Sequence, residues 1–542
     1  MFKFILKAKL LIFALFALLL IAYASSVRAQ DMPGMNMPRQ QPAASPAPSP
    51  KSPATTDALP PSASPTPSPT PQASPTPAHN MGDMQMNGAE EKKPQPAATD
   101  DSMKGMDMSG QGAKSADDNS QMKDSQMVMS GGSMNIPVGA RQGNSIAMGQ
   151  MGSGTSWQPA TTPMYMWYKS AGKWLLFFHG DVKLGVNSQG GARGVTKFES
   201  QNWLMPMAFR RVGAGTLQLR GMFSLEPFTF PRGGSPLLFQ TGESFGGRPL
   251  VDAQHPHDLF MELSASYIMP LGERATWFTY VGFPGEPALG PNAFMHRMSA
   301  SENPSAPLSH HLQDSTHISF GVYTTGFTYR WLKLEGSLFN GREPDEHRYN
   351  FEFNPWNSRS VRISIAPNEN WSAQWSYGLL KNPEALEPGD VRRMTASVSY
   401  NKQFTRGNWA TTLIWGRNRE FHAEAQTLNG YTAESTVNFL DKNYLYTRLE
   451  LVDKNSLLSQ TEAQALGFTN QHPSFRIGAY TFGYARDVWN TERLSVALGT
   501  DFSFYSKPDV LDGVYGNNPT SYRFFIRLRP SRMSHSGGAH TH

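Results

Sequence analysis

Apolar and polar residues alternate with a period of two through most of the chain beyond Trp157. In Val361–Ile365 the apolar positions are 361, 363 and 365, and from Trp371 to Leu379 every odd position is apolar and every even one small or polar. Val496–Phe504 and Tyr522–Arg529 read the same way. Successive side chains of a strand point to opposite faces, so these runs predict strands with one apolar face. Sixteen candidates start near residues 173, 197, 213, 258, 274, 315, 331, 359, 370, 391, 407, 432, 443, 474, 492 and 520.

The connections between these runs carry the architecture. Short joins fall at Arg211–Gly215, Pro270–Glu273, Arg330–Trp331, Pro367–Asn370, Phe404–Asn408, Asp441–Asn443 and Val488–Thr491. Longer polar stretches fall between them, at Glu226–Pro256, Pro284–Asp314, Gly341–Ser358, Lys381–Asp390, Glu420–Tyr431, Asp453–Pro473 and Ser506–Pro519. A soluble sandwich has no reason to gather all long loops at one end, whereas a transmembrane barrel has short periplasmic turns and long external loops. The expectation is an all-β chain, a transmembrane antiparallel β-barrel of about 16 strands over residues 157–530. An even count puts both chain ends on the short-turn side. Trp167, Trp174, Trp203, Trp277, Trp371, Trp409 and Trp489 near strand ends predict interfacial girdles.

The N-terminal part is of another kind. Lys3, Lys7 and Lys9 precede an apolar run from Leu10 to Ala22, and Val27-Arg28-Ala29 supplies a small-residue cleavage site. This predicts a signal peptide over 1–29. Residues 30–156 are rich in Pro, Ser, Ala, Met, Gly and Gln, and Pro42–Pro77 is a run of Ser-Pro and Thr-Pro steps. Such a segment buries too little apolar surface to offset its ordering entropy, so a disordered arm is expected. Its Pro-rich part reads as a semi-rigid spacer. Residues 531–542 form a tail with His535, His540 and His542.

Composition narrows the chemistry. The chain has 0 Cys, which excludes disulfides, thiolate metal sites and a Cys nucleophile. A net charge of +5 over 542 residues, with no Lys/Arg cluster, argues against a nucleic-acid partner. Phosphate loops and the dinucleotide Gly pattern are missing, and no catalytic set emerges, so an enzyme is not expected.

Three candidate sites remain. Met32, Met35 and Met37, then Met81, Met84 and Met86, then Met103, Met106 and Met108 repeat M-x-x-M-x-M in flexible polar surroundings. Three thioethers within six residues can close around a soft cation, which makes Cu(I) the expected cofactor. Met as a flexible apolar filler is the alternative, but these segments have no aliphatic or aromatic neighbours to pack against. A second candidate metal set is His255, His257, Asp258, His296, His310, His311 and His317, at the long-loop ends of the fourth and sixth strands. Imidazoles from two neighbouring loops can hold Zn or Cu; loop capping by His-Pro is the plainer reading. The third set is the lumen: Arg220, Arg362, Arg448, Arg476, Arg523, Arg527 and Arg529 are expected to face inward against Glu335, Glu450 and Asp501. That arrangement reads as a basic ring favouring anions, or equally as inter-strand ion pairing. His347, His422 and His472 stand alone on long loops and are expected to be solvated.

A signal peptide, a Met-rich arm and a C-terminal barrel are similar in layout to the copper-resistance protein B family, specifically in repeats such as Met106-Asp-Met108-Ser. The arm departs from that pattern in carrying His only at His79, and the spacer and large barrel are atypical. The resemblance implies copper sequestration or efflux-linked resistance at the outer membrane, with the arm in the periplasm. Its partners would be outer-membrane lipid, copper ions and a periplasmic copper oxidase or carrier. Two readings from other classes stay open: a general porin or solute channel with the arm as a tether, and an outer-membrane enzyme, for which only the His loops argue.

Overall fold

The computed structural model describes residues 128–130, 133–138, 145–421 and 425–533, all within one compact unit. The leader, the nine repeat methionines, His422 and the three tail histidines lie outside these residues. Sixteen antiparallel strands close into a barrel. In chain order they are β1 Trp174–Gln189, β2 Thr196–Val212, β3 Gly215–Phe223, β4 Phe260–Pro270, β5 Ala275–Gly282, β6 Val322–Tyr329, β7 Leu332–Phe339 and β8 Ser358–Asn368. There follow β9 Trp371–Leu380, β10 Asp390–Phe404, β11 Gly407–Phe421, β12 Thr427–Phe439, β13 Asn443–Lys454, β14 Phe475–Asn490, β15 Leu494–Ser506 and β16 Thr520–Pro530. Closure is made by β16 on β1, from Ser521 opposite Gln189 to Leu528 opposite Val182. Nearer the short-turn rim β1 turns to a short strand, Met166–Ala171, which pairs with Trp174–His179 and covers the part of β1 that β16 does not reach. The ladder thereby closes on itself, as a lipid-spanning sheet requires.

Most strands begin within two residues of their predicted positions. β6 starts at Val322 instead of near 315, because Ser315–His317 is a 3-10 turn belonging to the preceding loop. β12 starts at Thr427 instead of near 432: its first outward residues, Thr427 and Asn429, are polar, so alternation becomes visible only at Tyr431. The tight turns all lie at one rim. Arg330, Arg406, Leu440 and Asp441 adopt positive φ of 54°, 65°, 52° and 64° there, the left-handed geometry that two- to four-residue hairpin loops require. The turns after Asn368 and Phe439 share this rim with the start of β1 and the end of β16, as parity demanded.

Outward positions are apolar and exposed, among them Leu184, Leu334, Ile363, Leu413, Leu498, Phe502 and Ile526. Trp167, Trp371 and Trp489 are exposed at the short-turn rim, and Trp174, Trp277 and Trp409 are at strand ends on the same rim. Trp203 departs from the predicted girdle. Its parity on β2 turns it inward, where it is 8% exposed.

The lumen is filled by two segments. One is the long connection between β5 and β6, residues 283–321, most of which is buried. The other precedes the first strand, and here the expected arm boundary at 156/157 is corrected. Residues 133–137 and 145–147 pair in a small sheet, Met134 and Ile136 are buried, and Gly152–Ser156 sits against the inner wall. Composition alone suggested disorder, because these residues bury polar groups against barrel side chains contributed by distant sequence. Gly152 is needed there, since a Cβ would collide with the Asn292 side chain. At the opposite mouth, Leu237, Phe239, Leu308, Leu312, Leu457 and Tyr515 join four long loops into one apolar cluster.

Candidate functional site: the charged lumen and its histidine cluster

Inward residues of the wall are ion-paired, mostly strand to strand and in part to the inserted loop. Arg362 Nε donates to Glu335 at 2.9 Å, while its other nitrogens donate to the Gly290 carbonyl at 3.0 Å and to Thr155 Oγ1 at 3.0 Å. Arg448 Nε donates to Glu434 at 2.9 Å, and Arg297 from the loop donates to Glu434 at 2.7 Å and to Asp314 at 2.5 Å. Glu302, fully buried in the same loop, pairs with Arg527 and with Arg529, the latter at 3.0 Å. Arg220 pairs with Glu262 at 2.9 Å and Arg523 with Asp501 at 3.3 Å. The basic-ring reading therefore gives way to paired charges. Glu450 accepts from Ser309, at 3.1 Å from its hydroxyl, in place of an arginine. Arg476 is a second correction: it sits on the outward parity of β14, about half exposed, paired to Asp453 at 2.8 Å.

The predicted histidines divide into two groups. His255, His257, His310, His311 and His317 come together with Asp258 at the long-loop end. Ring centroids are 5.3 Å apart for His257–His317, 5.1 Å for His310–His317, 5.4 Å for His310–His311 and 6.4 Å for His255–His311. His296 lies elsewhere, 6.1 Å from His179 on β1. His347 is exposed, as expected, beside Asp345 at 3.3 Å.

Within the first group several rings are held through Nδ1. His257 Nδ1 is 2.7 Å from Glu226, His310 Nδ1 is 2.7 Å from Asp314, and His317 Nδ1 is 2.8 Å from the Asp314 carbonyl. An acceptor on one ring nitrogen orients the other for a ligand, as outer partners of metal-binding histidines do. Burial lowers His310 to about 4 and His317 well below its ordinary value, so both rings are neutral at neutral pH. Burial would raise Asp314, but Arg297 and His310 hold it well below the usual carboxylate range. Asp258 is pushed up to about 7 by burial, against the pull of Arg348.

Donor atoms converge at two overlapping points. Those of Glu243, His255 and His311 lie within 4.8 Å of one another, as do those of His311, Glu343 and Glu384. Glu243, His311, Glu343 and Glu384 border a cavity of about 80 Å³ at the long-loop end. Both His311 ring nitrogens, both Glu343 oxygens and His317 Nε2 are buried without a hydrogen bond, although His311 Nδ1 lies 3.3 Å from a Glu343 oxygen. Burial and the neighbouring Glu343 and Glu243 raise the Glu384 carboxyl well above its usual range. A divalent cation shared by His311 and Glu343 would answer their donors together. Gly242, at φ +117°, lets the His311 ring approach, since a Cβ there would lie 2.6 Å from its Cγ. The three glutamates were invisible to spacing, because each comes from a different long loop.

No family model and no curated protein matches the chain, so the resemblance in layout to copper-resistance protein B rests on the quoted residues alone. Solved structures similar to it are outer-membrane barrels. The anion-selective porin from Comamonas acidovorans shares 12% identity over 66% of this chain and 99% of its own, with a TM-score of 0.38. OmpT, an outer membrane protein of Vibrio cholerae, shares 7% over 67% and 98%, with a TM-score of 0.39. Acinetobacter baumannii OccAB1 shares 10% over 66% and 97%, with a TM-score of 0.35. The barrel assignment itself rests on the closed ladder of this chain.

Proposed function

We propose that this protein is a porin-like outer-membrane channel for small polar or charged solutes, narrowed from within by residues 283–321 and 145–165. The observation that carries this reading is the contrast between the two faces of one closed sheet. Outside, apolar residues and a tryptophan rim match a bilayer; inside, the inserted loop is tied to the wall largely by ion pairs and hydrogen bonds, which water or a polar solute can replace. In this orientation the short turns and both ends of the barrel face the periplasm, and the histidine loops face outward. The repeat methionines would then bind Cu(I) on the periplasmic side, a reading supported by their M-x-x-M-x-M spacing. The test is conductance after reconstitution into planar bilayers. Discrete steps are expected, and a barrel that stays silent even after removal of the inserted loop would overturn the channel.

A second reading is favoured by the orphaned donors around His311: the external mouth holds a divalent cation. Zn(II) titrated calorimetrically into the full chain is expected to bind through His255, His311, Glu243 and Glu343. His311→Ala, which removes the donor common to both convergent sets, should abolish that heat. Equal binding by the variant would assign the cluster to structure alone.

A further inference from the structure

Methionine is segregated within the barrel. The chain has 14 Met from Met134 onward, and all but Met269 and Met394 fall in one cluster or on the cavity beside it. The other two buried clusters are built of Leu, Ile, Val, Ala, Phe and Tyr and contain no methionine. If thioethers served here only as adaptable filler, that filler would recur where those clusters pack.

The cavity has a volume of about 80 Å³, enough for a dehydrated ion, and eight methionines line it together with His179 and His296. Four stretches meet there. Met205 and Met207 share the inward parity of β2, Met148 and Met151 come from the N-terminal segment, Met164 and Met166 enter the short strand, and Met295 and Met298 flank His296 in the inserted loop. Trp203 packs against both imidazoles, with centroids 4.7 Å from His179 and 4.8 Å from His296. Arg220, Arg297, Arg529 and Asp181 also border the space, but each is paired: the arginines with Glu262, Glu434 and Glu302, and Asp181 with Lys183 at 2.5 Å. What remains for a ligand is neutral, soft sulfur with imidazole nitrogen.

We propose that this cavity is a binding site for a soft monovalent d10 cation, Cu(I) or Ag(I), inside the barrel. Thioethers select such ions, and no thiolate or free carboxylate is offered that would favour Zn(II) or Ca(II). The site is distinct from the repeats at Met32–Met108 and from the histidine cluster at the opposite mouth. It stands whether or not the barrel conducts, so a silent channel leaves it untouched.

The test uses the full chain in detergent with Ag(I) as nitrate in chloride-free buffer, and Cu(I) under chelator competition. The nine repeat methionines, with Met122, Met127 and Met129, are first replaced by leucine to remove binding by the arm. This protein is expected to retain one Ag(I) after gel filtration, with sulfur neighbours in its X-ray absorption spectrum. Adding Met205→Leu, Met207→Leu and Met295→Leu, which conserve volume, should lose the ion. Met222→Leu with Met261→Leu, in the same cluster but away from the cavity, should keep it. The proposal is overturned if the arm-free protein retains no silver, if its spectrum lacks sulfur neighbours, or if both lumen variants bind alike. The spectrum is read on a protein with an unaltered lumen, so misfolding of the triple variant leaves the test intact.

Discussion

Replacing residues 291–315 with a short Gly-Ser linker is expected to raise single-channel conductance several-fold. The segment removed carries Arg297, Glu302, Ser309, His310, His311 and Asp314, and with them the loop's ties to β10, β12, β13 and β16. Glu434, Glu450, Arg527 and Arg529 would lose loop partners, yet each would then face an aqueous lumen, which solvates charge. The barrel ladder does not pass through this segment, so the sheet should remain closed. Current steps recorded in planar bilayers decide it. Unchanged conductance would mean that residues 145–165 alone set the passage, or that there is none.

Glu302→Ala in the intact chain should be far more damaging than its size suggests. Its carboxylate is fully buried and holds both Arg527 and Arg529, and Arg527 is also paired with Asp487. Breaking a buried pair strands charge without solvent, at a cost of about 3–5 kcal/mol. Arg476→Ala removes an exposed pair with Asp453 and should cost about 0–1 kcal/mol. Denaturant unfolding of the two variants in the same detergent or vesicles gives the comparison. A pH dependence accompanies it. Burial would raise the Glu302 carboxyl, but Arg527, Arg529 and Lys183 outweigh this and hold it below its ordinary 4.5. A depressed carboxylate contributes stability above its unfolded value and loses it as pH falls through the folded one. Wild type should therefore weaken in acid below pH 4.5, and the Ala variant should show less of that slope. Equal slopes would assign acid sensitivity to other carboxylates.

The strands, their faces and the side on which the barrel begins and ends were legible in the chain. Alternation such as Trp371–Leu379 is a local consequence of the pleat, and a two-residue turn such as Arg330–Trp331 leaves one way to continue. Errors arose where the outward face was polar, as at Thr427 and Asn429, or where a single parity step decided the matter, as for Trp203 and Arg476. The interior was a different problem. That His311 meets Glu243, Glu343 and Glu384, or that Met205 and Met295 share a cavity, follows from the circumference of the closed sheet and the path of two segments folded through it. Residues 145–165 were unremarkable as sequence because the groups that satisfy them, Glu335, Arg362 and Asn401, lie more than 170 positions away. Local pattern sets which way each strand's side chains point; closure of the barrel decides what they point at, because only then do distant strands and loops face one another across a confined space.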